Sequence, residues 1–177
     1  MTTTASTLLD AERSDLLEML AKHRHFLRFT TRDLTDEQAG LRTTASELCL
    51  GGLIKHVTAV EANWARFIVD GPAEAPDFES MSEEEIAAWG DGFRMLPEDT
   101  LAGVLAEYEK VAARTDELVR SLPDLNVTQP LPEAPWFEPG ARWSARRVFL
   151  HIMTETAQHS GHADIIRESL DGAKSMG

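Results

Sequence analysis

Of the 177 residues only Cys49 is a cysteine, so no internal disulfide can brace the chain and a reducing compartment is the expectation. Basic side chains are scarce as well: 17 Lys and Arg stand against 30 Asp and Glu, for a net charge of −13. So acidic a surface repels phosphate backbones and anionic headgroups, which removes nucleic acid and membrane surfaces from the expected partners. The same surface also simply keeps a cytosolic protein dispersed, and it says little about a substrate. No apolar run approaches the roughly 20 residues of a membrane span, and the N-terminal stretch lacks the basic segment and unbroken apolar run of a signal peptide. The chain reads as cytoplasmic. Its 42% apolar content suffices for one contiguous core, so a single domain over residues 1–177 is expected.

Four segments carry helical periodicity. Between Thr7 and Leu34, Leu8, Leu9, Leu16, Leu17, Leu20, Phe26, Leu27 and Phe29 recur at helical steps. After a connector from Thr35 to Ser46, in which Thr35 or Asp36 can cap a short turn, a second helix is predicted over Leu48–Val69, ended by Asp70-Gly71-Pro72. Pro72 to Pro97 reads as a crossover with a short helix starting at Ser82. A third helix should run from Asp99 or Thr100 to Leu122, with Leu101, Val104, Leu105, Tyr108, Val111, Ala112, Thr115 and Leu118 facing inward; Pro123 stops it. A proline-rich loop reaches Trp143, and a fourth helix extends from the cap Ser144 to Leu170. No alternating strand pattern competes. The expected fold is all-α, an antiparallel four-helix bundle with long crossover connections.

On the fourth helix His151, Glu155, His159 and His162 fall within about 80° of one another. They share that stripe with Val148, Ile152, Ile166 and Leu170, so the imidazoles and the carboxylate should face the core, while Arg146, Arg147, Glu168 and Ser169 point largely elsewhere. An uncompensated buried carboxylate costs several kcal/mol, and the stripe offers no Lys or Arg. A divalent cation would satisfy Glu155 and the histidine lone pairs together. The four-residue step from Glu155 to His159 suits two ligands of one ion, and His56, the only histidine of the second helix, can supply the third. Two ligands from one helix and one from another leave positions open, as in a catalytic site. Taken singly, each residue has a plainer reading: a lone inward histidine is more often a hydrogen-bonded core residue than a ligand. Their coincidence favours metal. His151 is read as supporting the site, and His162 as a fourth ligand, a neighbour of the ligands or a proton carrier. His23 and His25 are read as rim residues, Cys49 as a small packed hydrophobe, and Trp64, Trp89, Trp136 and Trp143 as core or interface residues, with Trp136-Phe137 able to wall a pocket.

The segment LHIMTETAQHSGHADIIRESLDG, from Leu150 to Gly172, resembles the C-terminal signature of the DinB-like proteins. The branch it is similar to is the group numbered 664 among domains of unknown function, described as mycothiol transferase-like. Gly51-Gly52-Leu53-Ile54-Lys55-His56-Val57, followed by Glu61 and Trp64, resembles the first metal-ligand helix of the same group. The resemblance covers nearly the whole chain. It implies a four-helix bundle with a metal triad, here His56, Glu155 and His159; the glutamate departs from the commoner all-histidine pattern and matches the mycothiol-dependent maleylpyruvate isomerase branch. The extra C-terminal domain of that isomerase is not expected here, which sets maleylpyruvate apart as a substrate.

The function implied is that of a metal-dependent thiol transferase: the cation binds a small thiol as thiolate, and the thiol, mycothiol or a relative, attacks an electrophilic metabolite or xenobiotic in a detoxification step. Zinc is the expected ion; nickel, manganese or iron fit the same ligands. His162 would manage protons, the loop Pro130 to Trp143 would shape the substrate pocket, and the resemblance alone suggests a homodimer. Two other readings stay open at this point, a metal-dependent hydrolase and a stress-associated metal-binding protein without turnover.

Overall fold

The computed structural model describes residues 10–73 and 80–175, apart from the side chain of Trp89. Thr7, Leu8 and Leu9, expected in the first helix, therefore lie outside the described residues, as does the role expected of the Trp89 side chain.

Helices form where the sequence places apolar stripes, and polar side chains fix their ends. α1 (Ala11–Phe29) starts at Asp10, whose carboxylate accepts from the Arg13 amide, and α2 (Asp36–Gly40) starts in a full capping box between Thr35 and Gln38. α3 (Leu50–Asp70) ends at Gly71, which adopts φ 83°. α4 (Glu83–Asp91) lies in the crossover and is capped by Ser82. Thr100 caps α5 (Leu101–Ser121), and Ser144 caps α6 (Ala145–Asp171), which closes at left-handed Gly172. Among the described residues, no helix is long and apolar enough to cross a membrane.

The four long helices form a ring in which α1 packs on α6, α6 on α3, α3 on α5 and α5 on α1. Two of these contacts are antiparallel: Arg13 reaches the Val119 and Leu122 carbonyls between α1 and α5, and His56 meets His159 while Trp64 meets His151 between α3 and α6. The other two are parallel, which departs from the wholly antiparallel arrangement expected. Arg146 pairs with Glu12 and Arg167 with the Thr30 carbonyl along α6 and α1. Lys55 pairs with Asp99 at the start of both α3 and α5. The crossover explains the departure: it is long enough to return the chain to the end where α3 began, so α5 runs beside α3 in the same direction.

The proline-rich loop also departs from expectation, because its two ends pair. β1 (Thr128–Pro130) and β2 (Arg142–Ser144) form an antiparallel hairpin with Gln129 opposite Trp143. Strands this short leave no alternating pattern, and Pro130 disguises the first.

Two apolar clusters fill the ring. One gathers Leu16, Leu20, Phe67, Ile68, Val119, Val148, Phe149 and Ile152. The other gathers Leu27, Leu53, Ile54, Val57, Val104, Tyr108, Ala163 and Ile166. Between them lies a polar layer. Arg24 of α1 grips Glu61 of α3 through two hydrogen bonds of 2.5 and 3.2 Å and reaches Asp116 of α5 at 2.8 Å. Arg24 is 5% exposed and Glu61 fully buried. Thr115 and Thr156, also buried, turn their hydroxyls back onto their own helices. The Arg24 to Glu61 bridge spans the diagonal of the ring and links two helices that are not neighbours in it.

Candidate metal centre

The expected triad comes together at the α3 to α6 seam. Single nitrogens of His56 and His159 and one carboxylate oxygen of Glu155 all lie within 4.8 Å of one another. Ligand atoms bonded at about 2.0–2.2 Å around a tetrahedral zinc would be roughly 3.4 Å apart. The His159 Nε2 to Glu155 Oε2 separation is 3.7 Å, so small side-chain movements would close the set on one ion. Two imidazoles and a carboxylate are the donor set of known catalytic zinc sites.

Burial keeps those imidazoles available. His56 is held below the ordinary histidine value by burial first and by the neighbouring His159 second, against the pull of Glu155. His159 is lowered by burial, with Glu155 again opposing and His162 adding to the shift. Neutral rings present lone pairs to a cation.

The expected burial of the stripe is only half met. Val148, Ile152 and Ile166 are buried as expected, but Leu170, His151, Glu155, His159 and His162 are half-buried. The Glu155 side chain keeps 27% exposure and that of His159 13%. At 100° per residue the stripe is wide, and Thr156, not Glu155, takes the inward position. A half-buried carboxylate needs a compensating charge less than a fully buried one, so what favours a cation here is the meeting of three candidate ligands from two helices.

Each candidate ligand on α6 has a further histidine beside it. His151 Nε2 lies 3.9 Å from Glu155 Oε1, the oxygen turned away from His159. His162 Nδ1 lies 3.3 Å from His159 Nδ1. One of those two nitrogens must carry the proton, and an ion on His159 Nε2 leaves it on His159 Nδ1, donating to His162. His162 therefore contacts a ligand ring and is not among the three that converge. His23 and His25 lie on α1, half-buried and exposed respectively, and the His23 carbonyl accepts from the hydroxyl of Ser160, next to His159. Cys49 is buried at the cap of α3, its sulfur 3.9 Å from the Phe93 carbonyl.

Several neighbours of the site were not legible in the sequence. Phe93, from the crossover, stacks on His56 at 4.2 Å. It can do so because the chain at Phe93–Met95 lies directly on Gly51 and Gly52: a β-carbon at Gly52 would collide with the Phe93 carbonyl, and one at Gly51 with the Met95 side chain. The glycine pair is the sequence signal, since consecutive glycines inside a helix commonly mark a close backbone approach. On the other side Trp64 stacks on Trp143 at 4.9 Å, and His151 meets both rings edge-on, at 4.8 and 5.1 Å. Phe137 packs edge-on to Trp143 at 5.7 Å. The hairpin thus joins the site through Trp143. Arg147, expected to point elsewhere, lays its guanidinium over the Trp143 ring at 4.4 Å.

With the geometry in place, comparison with known proteins adds one match. A family described as mycothiol-S-transferase matches residues 15–172, a span that includes α3, α5 and α6 whole, α1 from Asp15 onward, and every residue of the site. No curated protein matches the chain.

Proposed function

We propose, from the premise that this chain belongs to the mycothiol-S-transferase family, that it is a metal-dependent enzyme joining the sulfur of a small thiol, mycothiol or a relative, to an electrophilic small molecule. The observation that carries the metal is the approach of His56, Glu155 and His159 to within 4.8 Å. Held by these three, a divalent cation, zinc in first place, supplies the positive charge that lets a thiol ionise near neutral pH. The new bond is S–C; the leaving group departs with its electron pair and the thiol proton passes to solvent.

The chain's own residues set up that step. His151 lies beside the second Glu155 oxygen, at 3.9 Å, and would orient it by closing that gap to a hydrogen bond, and His162, expected as a proton carrier, would act through His159 by accepting its Nδ1 proton and fixing the ring. That makes His162 a positioning residue. Phe93 and the tryptophan pair wall the seam on either side and restrict water near the sulfur.

Metal analysis of the purified protein beside His56→Ala and His159→Ala, together with conjugation of an electrophilic dye, tests this reading. The wild type should bind metal and conjugate the dye only with both metal and thiol present, and both variants should lose metal. Undiminished metal in the two variants would overturn the ligand set. Dye conjugation indifferent to thiol, or ester hydrolysis without it, would replace the transferase with a hydrolase. For His162→Gln, metal affinity should fall about 10- to 100-fold, the usual cost of losing a partner of a ligand.

A further inference from the structure

Arg147 lies two turns before Glu155 on α6 and one turn before His151, so Arg147, His151, Glu155 and His159 follow one another at four-residue steps. Its guanidinium is exposed, rests on the Trp143 ring 4.4 Å from the centroid, and makes no ion pair or side-chain hydrogen bond among the described residues. The arginines of α1 and the turn after it differ: Arg24 is committed to Glu61 and Asp116, Arg28 to Glu109, and Arg32 to backbone carbonyls. Trp143 itself is fixed, with Trp64 stacked on it and Phe137 and His151 against its edges. Arg147 is therefore a cation held in place by an aromatic ring with its donors unspent, beside the proposed metal centre.

We propose that Arg147 is the anion-recognition residue of this site and that the electrophilic substrate carries a carboxylate which it binds. The inference rests on the transferase reading above. A guanidinium presents paired N–H donors that match a carboxylate, and one already seated on a ring loses little freedom on binding. The need for it follows from charge. A protein of net charge −13 repels an anionic substrate, and the cation of the metal centre is reserved for the thiolate. By helix rise the Cα atoms of Arg147 and Glu155 are about 12 Å apart, so the carboxylate belongs at the end of the electrophile remote from the carbon that sulfur attacks.

The test uses a chloronitrobenzamide electrophile with a flexible chain ending in carboxylate, beside the same molecule with that carboxylate capped as an amide. Unreactive forms of both, lacking the chlorine, are titrated onto the metal-loaded protein and followed by tryptophan fluorescence. Wild type should prefer the carboxylate form about tenfold. Arg147→Gln should bring the two forms to equal affinity, whatever it does to the affinity of both together, and Arg147→Lys should keep part of the preference. In turnover the same preference should appear in the KM for the electrophile, with the KM for the thiol unmoved. No preference in wild type, or a preference that survives Arg147→Gln, overturns the proposal and leaves Arg147 as a packing residue on Trp143. A change confined to the thiol KM overturns it as well, by assigning the anion to the other substrate. Because binding is read without turnover, a failure of the transferase reading shows separately, as absent conjugation of the capped electrophile.

Discussion

Glu61 and Glu155 sit at nearly the same level of the bundle, and their surroundings differ in every respect that matters. Glu61 is fully buried and is met by the paired donors of Arg24, which in turn reaches Asp116. Its charge is answered within the protein. Glu155 keeps 27% of its side-chain surface and faces only histidines that burial holds toward the neutral form. A carboxylate answered by arginine is a fastening between helices; one answered by neutral imidazoles has room for a cation. The comparison separates structure from function without any appeal to which residue is more buried, and by burial alone the wrong glutamate would be chosen.

The contrast can be broken at its strong end first. Glu61→Leu leaves the buried Arg24 guanidinium with Asp116 alone and should cost about 3 kcal/mol, the lower end for a broken buried pair, read as a lower urea midpoint at unchanged slope. A loss below about 1 kcal/mol would put Glu61 on the same footing as Glu155 and dissolve the distinction. Gly52→Ala forces the crossover chain off α3 and should cost about 1–3 kcal/mol and weaken metal binding through the shifted Phe93. Gly161, whose added β-carbon would meet nothing within 4 Å, is the control: Gly161→Ala should be neutral or stabilising by up to about 1 kcal/mol. Glu155→Gln should leave the stability of the metal-free protein within about 1 kcal/mol of wild type while lowering metal affinity at least about 100-fold; intact metal binding would remove Glu155 from the ligand set.

The smallest effect is in pH. His56 and His159 take up protons less readily in the folded chain than in the unfolded one, because burial lowers both. Their contribution to the metal-free protein is thus present above the ordinary value of about 6.5 and is lost as pH falls below it. The melting temperature of metal-free wild type should decline more steeply over this range than that of a His56→Ala, His159→Ala double variant. Parallel curves would show that the two rings titrate as they do in water.

What the sequence shows and what it hides divide by range. The long helices, the caps Thr35, Thr100 and Ser144, and the grouping of Glu155 with His159 are local properties that a 3.6-residue period exposes. His56 could be added because no other histidine lies on its helix. The link from Arg24 to Glu61 and Asp116 could not be found, since nothing in three separate helices announces which polar residues will share one layer. Phe93 and Arg147 escaped for a related reason: one comes from a crossover with no period, the other reaches the site by bending over a tryptophan that precedes the helix. The hairpin was hidden by its brevity. The inward aim of Glu155 was overstated because a wheel places residues only to within the width of a stripe, and Thr156 holds the position it was given.

The two helices of the α3 to α6 seam stand far apart in the chain, with the crossover, α5 and the hairpin between them. A ribosome must therefore finish nearly all of the molecule before the first and last ligands can meet. If the proposed centre takes up a cation, uptake would come after assembly and would select for it: only a chain whose final helix has docked would gain the added stability of a bound ion. Metal supply would act on this protein as an inspection of finished molecules.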